Sequence, residues 1–319
     1  MAELTTVGIT IPLGDARIAR LKEAYPDLTV IIQEDPSKVA EDLHDIDLLV
    51  GRGAHAKRLL GCPNLRWIQT LTAGADAVPF DALEERMIVL TNGSGIHAPN
   101  IAEHMLGQML CFARGFHILL RHQQNHHWTT AHTSFELNGQ TLCVIGLGDI
   151  GQALGERAAA LGMRVTGVRR RPELAVPDGI SAVTTFDDMD ALLAEADHIA
   201  VCLPLTPSTE NILNAERIAK LKRGVYIYNT GRGEIIDQDA LIEALNSGQV
   251  GGAGLDVTTP EPLPADSPLW DMENVLITSH TSGRSPARMD RFMDILIDNI
   301  RRYRADEPLR NVVDPVHGY

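Results

Sequence analysis

A chain of 319 residues, 44% of them apolar and 22% charged, has material for two globular domains, each with its own core. Its net charge of −14 argues against a nucleic-acid partner, whose phosphates need clustered cations, and any anionic ligand must be met by a local reversal of field from arginines and backbone N–H groups. No apolar run reaches the roughly 18 residues that span a bilayer, and the opening MAELTTVGITIP lacks the basic start and apolar core of a secretory leader, so a cytoplasmic protein without membrane contact is expected.

The first part of the chain alternates short apolar runs with helical patterns. Val7–Ile11, Leu28–Ile32, Ile46–Val50, Leu65–Gln69 and Met87–Leu90 read as strands, with helices at Ala16–Ala24 and Ser37–Leu43. Alternation at this spacing implies a mostly parallel sheet. Two loops, GRGAH at Gly51–His55 and TAGAD at Thr72–Asp76, follow the C-terminal ends of strands, the edge at which open α/β sheets bind ligands. Their glycines serve equally well to turn the chain, and both readings stay open.

From Asn100 to about His122 the spacing of Ile101, Met105, Leu106, Met109, Leu110, Ala113 and Phe116 predicts one long helix, with Pro99 just before it. His122 and His126 in RHQQNHHW would share a face if that helix continued, but zinc needs further ligands of matching geometry, so no metal is expected. Cys62, Cys111, Cys143 and Cys202 show no C-x-x-C spacing and read as reduced core thiols.

The stretch LCVIGLGDIG, Leu142–Gly151, organises the rest. A buried apolar run leads into Gly146, Gly148 and Gly151 at G-x-G-x-x-G spacing, and a helical pattern begins at Gln152. The first glycine permits a tight turn, the second lets backbone approach a pyrophosphate, and the third lets helix and strand pack closely, with the helix N-terminus facing the phosphates. Further strands follow at Arg164–Val168, Ile199–Leu203, Val225–Asn229, Gly252–Val257 and Val275–Thr278, with helices at Asp188–Glu195, Ala215–Lys220 and Asp239–Asn246. Pro204 and Pro207 make CLPLTP a loop, and a last amphipathic helix spans about Pro286 to Arg304. The expected fold is α/β, with two doubly wound parallel-sheet domains of Rossmann or flavodoxin type.

Arg232 in YNTGRGEIID, Glu261 in LDVTTPEPLP and His280 in LITSHTSG each follow a strand, so all three can gather at the edge that holds the cofactor. Singly, such residues are usually a surface arginine, a turn-capping glutamate and a structural histidine. Jointly, at strand ends in a dinucleotide domain, they point to chemistry.

With these blocks in hand, the sequence resembles the D-isomer-specific 2-hydroxyacid dehydrogenases, a family that includes glyoxylate/hydroxypyruvate reductases and 3-phosphoglycerate dehydrogenase. The likeness spans nearly the whole chain, since NIAEHMLGQML, VIGLGDIGQALG, CLPLTPSTENIL, NTGRGEIID, GAGLDVTTPEPLPADSPLW and NVLITSH occur in family order. It implies a substrate domain of residues 1–99 and 287–319, a dinucleotide domain of residues 100–286, linking helices that act as hinges, and an active site in the cleft between the domains. It also implies reversible reduction of a small anionic 2-oxoacid to the D-2-hydroxyacid. His280 would donate the proton, Glu261 would hold the imidazole and stabilise its charged form, and Arg232 would grip the substrate carboxylate. Arg52, Gly53, Ala73, Gly74 and Ala75 would complete the carboxylate site. Cofactor contacts would come from Gly146, Gly148, Asp149, Ile150, Gly151, Leu203, Pro204, Thr209, Thr230, Gly231, Asp256 and His280, with Asp256 placed for the nicotinamide amide.

Formate dehydrogenase relatives carry glutamine in place of the glutamate, so Glu261 points to proton-coupled ketone reduction. The chain ends about fifteen residues past Arg304, so no appended regulatory domain is expected. Some relatives are dinucleotide-sensing corepressors; the intact Arg232, Glu261 and His280 favour an enzyme instead. The likeness further suggests a homodimer. One departure bears on the cofactor: where an NAD-binding member presents an acidic residue about 20 residues beyond the glycine turn, this chain has Arg169, Arg170 and Arg171. A carboxylate 4 Å from a phosphate charge repels it by about 4 kcal/mol at an effective dielectric of 20, and arginine reverses the sign. NADPH is therefore expected to be preferred over NADH, with Arg169 as the main partner of the 2′-phosphate and Arg170 or Arg171 assisting.

Overall fold

The computed structural model describes residues 4–35, 37–72, 78–130, 132 and 134–314, which fall into two compact units. One is the chain up to Ile96 together with the chain from Ser285, and the other runs from His97 to Arg284. In chain order the first unit contributes β1 (Thr6–Ile9), α1 (Asp15–Ala24), β2 (Thr29–Ile32), α2 (Val39–Asp42), β3 (Leu48–Gly51), α3 (Gly53–Leu59), β4 (Trp67–Thr70), α4 (Phe80–Glu85) and β5 (Val89–Thr91). The second follows with α5 (Ala98–Ala113), α6 (Phe116–Gln124), β6 (Thr141–Ile145), α7 (Asp149–Ala160), β7 (Arg164–Val168), β8 (Ile180–Thr184) and α8 (Asp190–Glu195). It continues through β9 (His198–Val201), α9 (Ala215–Lys220), β10 (Val225–Asn229), α10 (Gln238–Ser247), β11 (Val250–Leu255) and β12 (Val275–Ile277), after which α11 (Arg288–Arg304) belongs to the first unit again.

The first unit's sheet has the order β2-β1-β3-β4-β5, the flavodoxin-like winding. β3 and β4 are buried along their whole length, as parallel strands covered on both faces must be. Amphipathic α11 packs Phe292, Met293, Leu296 and Ile300 with Val7, Ile9 and Trp67, and Tyr303 stacks on the Trp67 ring at 5.4 Å. Each such buried side chain contributes about 1.5–3 kcal/mol relative to exposure.

The second unit's sheet has the order β12-β11-β10-β9-β6-β7-β8, a Rossmann winding extended by one strand. Strand order reverses between β6 and β9, which pair directly, so the turn after β6 lies at the switch point where such sheets bind ligands. One apolar core lies under α8, α9 and α10, and another joins α5 and α7 to the opposite face. Burial pushes the thiol of Cys143 up to about 11 and that of Cys202 up to about 12, so both stay protonated, and all four cysteines are free.

The sequence reading differs from the fold in a few places. The single helix expected over Asn100–His122 is two, because Gly115 at φ +66° breaks the hydrogen-bond ladder and becomes the N-cap of α6. That second helix ends at Gln124, and His126 at φ +54° lies beyond it, so His122 instead meets His127, Nδ1 to Nδ1, at 3.1 Å. β8 was not anticipated, since as an edge strand with exposed Ser181 and Ala182 it lacks a continuous apolar run. GRGAH is only partly loop, because α3 starts at Gly53 with Arg52 as its N-cap. Among the described residues no helix is long and apolar enough to cross a membrane, and no cluster of three or more His, Cys, Asp or Glu could hold a metal.

Candidate active site

β6 is buried from Leu142 to Ile145 and ends in Gly146, whose φ of +102° suits glycine alone. A Cβ at Gly146 would stand 2.6 Å from the Cys202 carbonyl oxygen, and one at Gly151 would stand 2.0 Å from that of Gly146. Gly148 is different: nothing lies within 4 Å of where its Cβ would be, so backbone is presented to open space. It is the N-cap of α7, and no side chain among the described residues caps that helix. A helix start of this kind favours an anion. Asp149 and Ile150 form its first turn. These features fit a dinucleotide pyrophosphate.

The other expected cofactor residues line the same edge. Leu203 and Thr209 are buried in the loop after β9, and the Thr209 hydroxyl donates to Pro204 O at 2.7 Å. Thr230 and Gly231 follow β10, and a Cβ at Gly231 would come within 2.5 Å of Leu203 O, so the loops after β9 and β10 are drawn tightly together. Arg169 follows β7, but its guanidinium turns onto the carbonyls of Leu174 and Ala175, and its Nε is buried with no hydrogen-bond partner among the described residues. Arg170 and Arg171 are exposed.

Arg232, Glu261 and His280 follow β10, β11 and β12, three neighbouring parallel strands. Asn229 shapes the first loop, accepting from Gly231 N and donating to Arg232 O, both at 2.9 Å. Gly233 then lets the β10 and β11 loops touch, for a Cβ there would lie 2.2 Å from the Thr258 carbonyl. Gln238 clasps Thr259 from α10, donating to its carbonyl at 2.6 Å and accepting from its N–H at 2.9 Å. Glu261 Oε1 accepts from Thr258 N at 3.3 Å, and Oε2 accepts from His280 Nδ1 at 2.9 Å. With Nδ1 so engaged, Nε2 is the nitrogen left to face a ligand. The two side chains are 51% and 38% exposed for His280 and Glu261, so a small molecule has access to the imidazole.

His280 itself sits at φ +51°, a conformation that costs a non-glycine residue about 1–2 kcal/mol. Its N–H donates to Asp256 O at 2.8 Å and to Thr278 O at 3.0 Å, which fixes the turn. Asp256 is fully buried beneath it. Its Oδ1 accepts from the Thr278 hydroxyl at 2.6 Å and Thr281 N at 2.9 Å, and Oδ2 accepts from Ser282 N at 3.0 Å. Burial pushes the Asp256 carboxyl up, but the hydrogen bonds from Ser282, Thr278 and Thr281 outweigh it and hold the group below the ordinary carboxylate range. Both oxygens thus face the protein's own loop.

In the first unit Arg52 is exposed at the end of β3, and Gly53 opens α3. Ala73, Gly74 and Ala75 lie outside the described residues. Sequence reading missed Asn229, Gln238, Thr278 and Ser282, which shape the loops rather than carry chemistry. Their signal was faint: Asn229, Thr278 and Ser282 are common polar residues at or just after a strand end, and Gln238 is one at a helix start.

A family model described as "D-isomer specific 2-hydroxyacid dehydrogenase, NAD binding domain" matches residues 106–282. The hydroxypyruvate reductase of Blautia hydrogenotrophica is 35% identical over 262 residues, covering 79% of this chain and 80% of that protein. The D-isomer specific 2-hydroxyacid dehydrogenase of Xanthobacter autotrophicus, solved in complex with NADPH and MES, superposes with a TM-score of 0.80 at 31% identity, covering 99% of this chain and 100% of that one. The NADPH-dependent glyoxylate/hydroxypyruvate reductase of Sinorhizobium meliloti, solved with NADP and sulfate, gives 0.81 at 29% identity, with coverage of 99% and 100%.

Proposed function

Because this chain belongs to the D-isomer specific 2-hydroxyacid dehydrogenase family, we propose that it reduces a small 2-oxoacid to the D-2-hydroxyacid, reversibly, with NADPH preferred and NADH possible. The observation that carries this reading is the His280–Glu261 hydrogen bond of 2.9 Å, set at the same sheet edge as Arg232 and the Gly146–Gly151 turn. When bound, the nicotinamide supplies the hydride. The protein does the rest. The α7 N-terminus and Gly148 hold the pyrophosphate, and the Arg169–Arg171 cluster meets the 2′-phosphate. Arg232 holds the substrate carboxylate with its planar fork, and His280 gives its Nε2 proton to the carbonyl oxygen as charge develops there. Glu261 steadies the imidazolium through Nδ1. The names of the relatives point to substrates the size of glyoxylate and hydroxypyruvate.

In the same reading the His97–Arg284 unit holds the dinucleotide, and the other unit, with Arg52 and Gly53, serves the substrate. A cytoplasmic homodimer completes it, supported by exposed Leu110, Phe116, Leu120 and Trp128 along and beyond α5 and α6. Sedimentation at micromolar concentration reads the stoichiometry, and a monomer removes the dimer from the proposal. For the activity, glyoxylate, hydroxypyruvate, pyruvate and bulkier 2-oxoacids are assayed with both cofactors. Turnover of the small acids with NADPH supports the reading; cofactor binding without turnover of any 2-oxoacid favours a dinucleotide sensor instead.

A further inference from the structure

One face of α5 grips the segment that carries His280. His97 and Asn100, at the start of the helix, and His104 one turn further on stand at i, i+3 and i+7, so they line up on a single side. His97 Nδ1 donates to Gly283 O at 3.0 Å, Asn100 Nδ2 donates to Ser282 O at 2.7 Å, and His104 Nε2 lies 3.0 Å from the Thr278 hydroxyl oxygen. Asp256 holds the same segment from the strand side, at the Thr278 hydroxyl, Thr281 N and Ser282 N.

Donor logic orders the innermost contact. The Thr278 hydroxyl has one proton, and at 2.6 Å it goes to Asp256 Oδ1, so toward His104 the oxygen offers a lone pair. His104 therefore presents Nε2–H, and a chain runs from the imidazole through the hydroxyl to the buried carboxylate. Each bond polarises the next. Its middle link, Thr278, lies two residues before His280, whose backbone is held in the left-handed region.

We propose that His104 is a positioning residue for His280: by donating to the Thr278 hydroxyl it fixes the rotation of the loop so that the His280 Nδ1 meets Glu261. The proposal rests on the reading of His280 as proton donor. The test uses the full-length protein with NADPH bound, in four forms: wild type, His104→Ala, His104→Gln and Thr278→Val. Glutamine keeps an N–H donor about where Nε2 stands. Two readouts are taken: kcat for the best 2-oxoacid with the NADPH Kd, and the ring signals of His280 in a histidine-labelled nitrogen NMR spectrum, assigned by their loss in His280→Ala.

The expected result is a fall in kcat of about tenfold or more in His104→Ala and Thr278→Val, with the NADPH Kd within about twofold of wild type. His104→Gln recovers most of kcat. The His280 signals shift in His104→Ala and stay in place in His104→Gln. Unmoved His280 signals in His104→Ala, whatever kcat does, overturn the proposal, as does a His104→Gln protein as impaired as His104→Ala. If the wild type turns over no 2-oxoacid, the reaction assigned above fails, and the His280 signals alone decide the positioning role.

Discussion

Acidification should destabilise the dinucleotide-type unit through one buried histidine. His198 opens β9 and is 0% exposed, with its ring stacked against Tyr226 at 5.4 Å and Tyr228 at 5.8 Å. Its Nε2 donates to Gln140 Oε1 at 2.5 Å, so the neutral ring accepts from the Tyr228 hydroxyl at Nδ1, 3.1 Å away. Burial lowers its pKa to about 4 from an ordinary 6.5, only partly offset by Asp197. The unfolded chain takes up a proton at pH values where the folded one refuses it. Stability from this group is complete above pH about 6.5 and drains away as pH falls toward about 4. A shift of about 2.5 units at 1.36 kcal/mol each amounts to about 3 kcal/mol, of which about 2 kcal/mol is gone by pH 5. His198→Phe removes that slope but leaves the Tyr228 hydroxyl without its acceptor, costing about 1–3 kcal/mol at neutral pH. Urea unfolding of both proteins at steps from pH 7.5 to pH 5 should show their free-energy difference shrinking as pH falls. A difference that stays constant across that range, or a folded-state His198 that titrates above pH 6 by NMR, refutes the reasoning.

Three further outcomes concern the site. Arg232→Lys keeps the charge but loses the planar fork, so kcat/KM for a 2-oxoacid should fall by well over tenfold, from the loss of charge-assisted bonds worth about 1.5–3 kcal/mol; near-wild-type kinetics would place the carboxylate elsewhere. Glu261→Gln should lower kcat by about tenfold or more, because the imidazole loses the carboxylate that holds Nδ1 at 2.9 Å, and a wild-type kcat would take Glu261 out of this role. Arg169→Asp should lower kcat/KM with NADPH by about tenfold or more while sparing NADH, because it sets a carboxylate against the 2′-phosphate; equal losses with both cofactors would mean that Arg169 only holds the loop at Leu174 and Ala175.

Much of the dinucleotide-type unit was legible because its signals are local. The apolar run before Gly146 and the spacing to Gly151 record short-range sterics, and both close approaches appear in the structure. The parallel pairing in both sheets followed from strand-helix alternation. What escaped depends on partners distant in sequence. Nothing near Gly233 says that Thr258 will press against it, and nothing near Asp256 says that its oxygens will turn to Thr278, Thr281 and Ser282. Arg169 stood out as a charge at the right distance from the glycine turn, but the hold of Leu174 and Ala175 on its guanidinium depends on loop conformation, which composition does not encode. The break at Gly115 was hidden because the apolar spacing continues through it to Phe116. A usable signal lay in α5: His97, Asn100 and His104 recur at helical spacing within a mostly apolar helix, marking a polar face with something to hold.

The central claim is that His280 delivers the proton in a 2-oxoacid reduction, and a single comparison tests it most directly: NADPH oxidation by hydroxypyruvate with wild type and His280→Gln, alongside NADPH affinity for each. Loss of general acid catalysis predicts a kcat about 10²–10⁴-fold lower in His280→Gln, with cofactor affinity unchanged and the wild-type product the D-enantiomer. A variant within about tenfold of wild type at equal NADPH affinity would contradict the account.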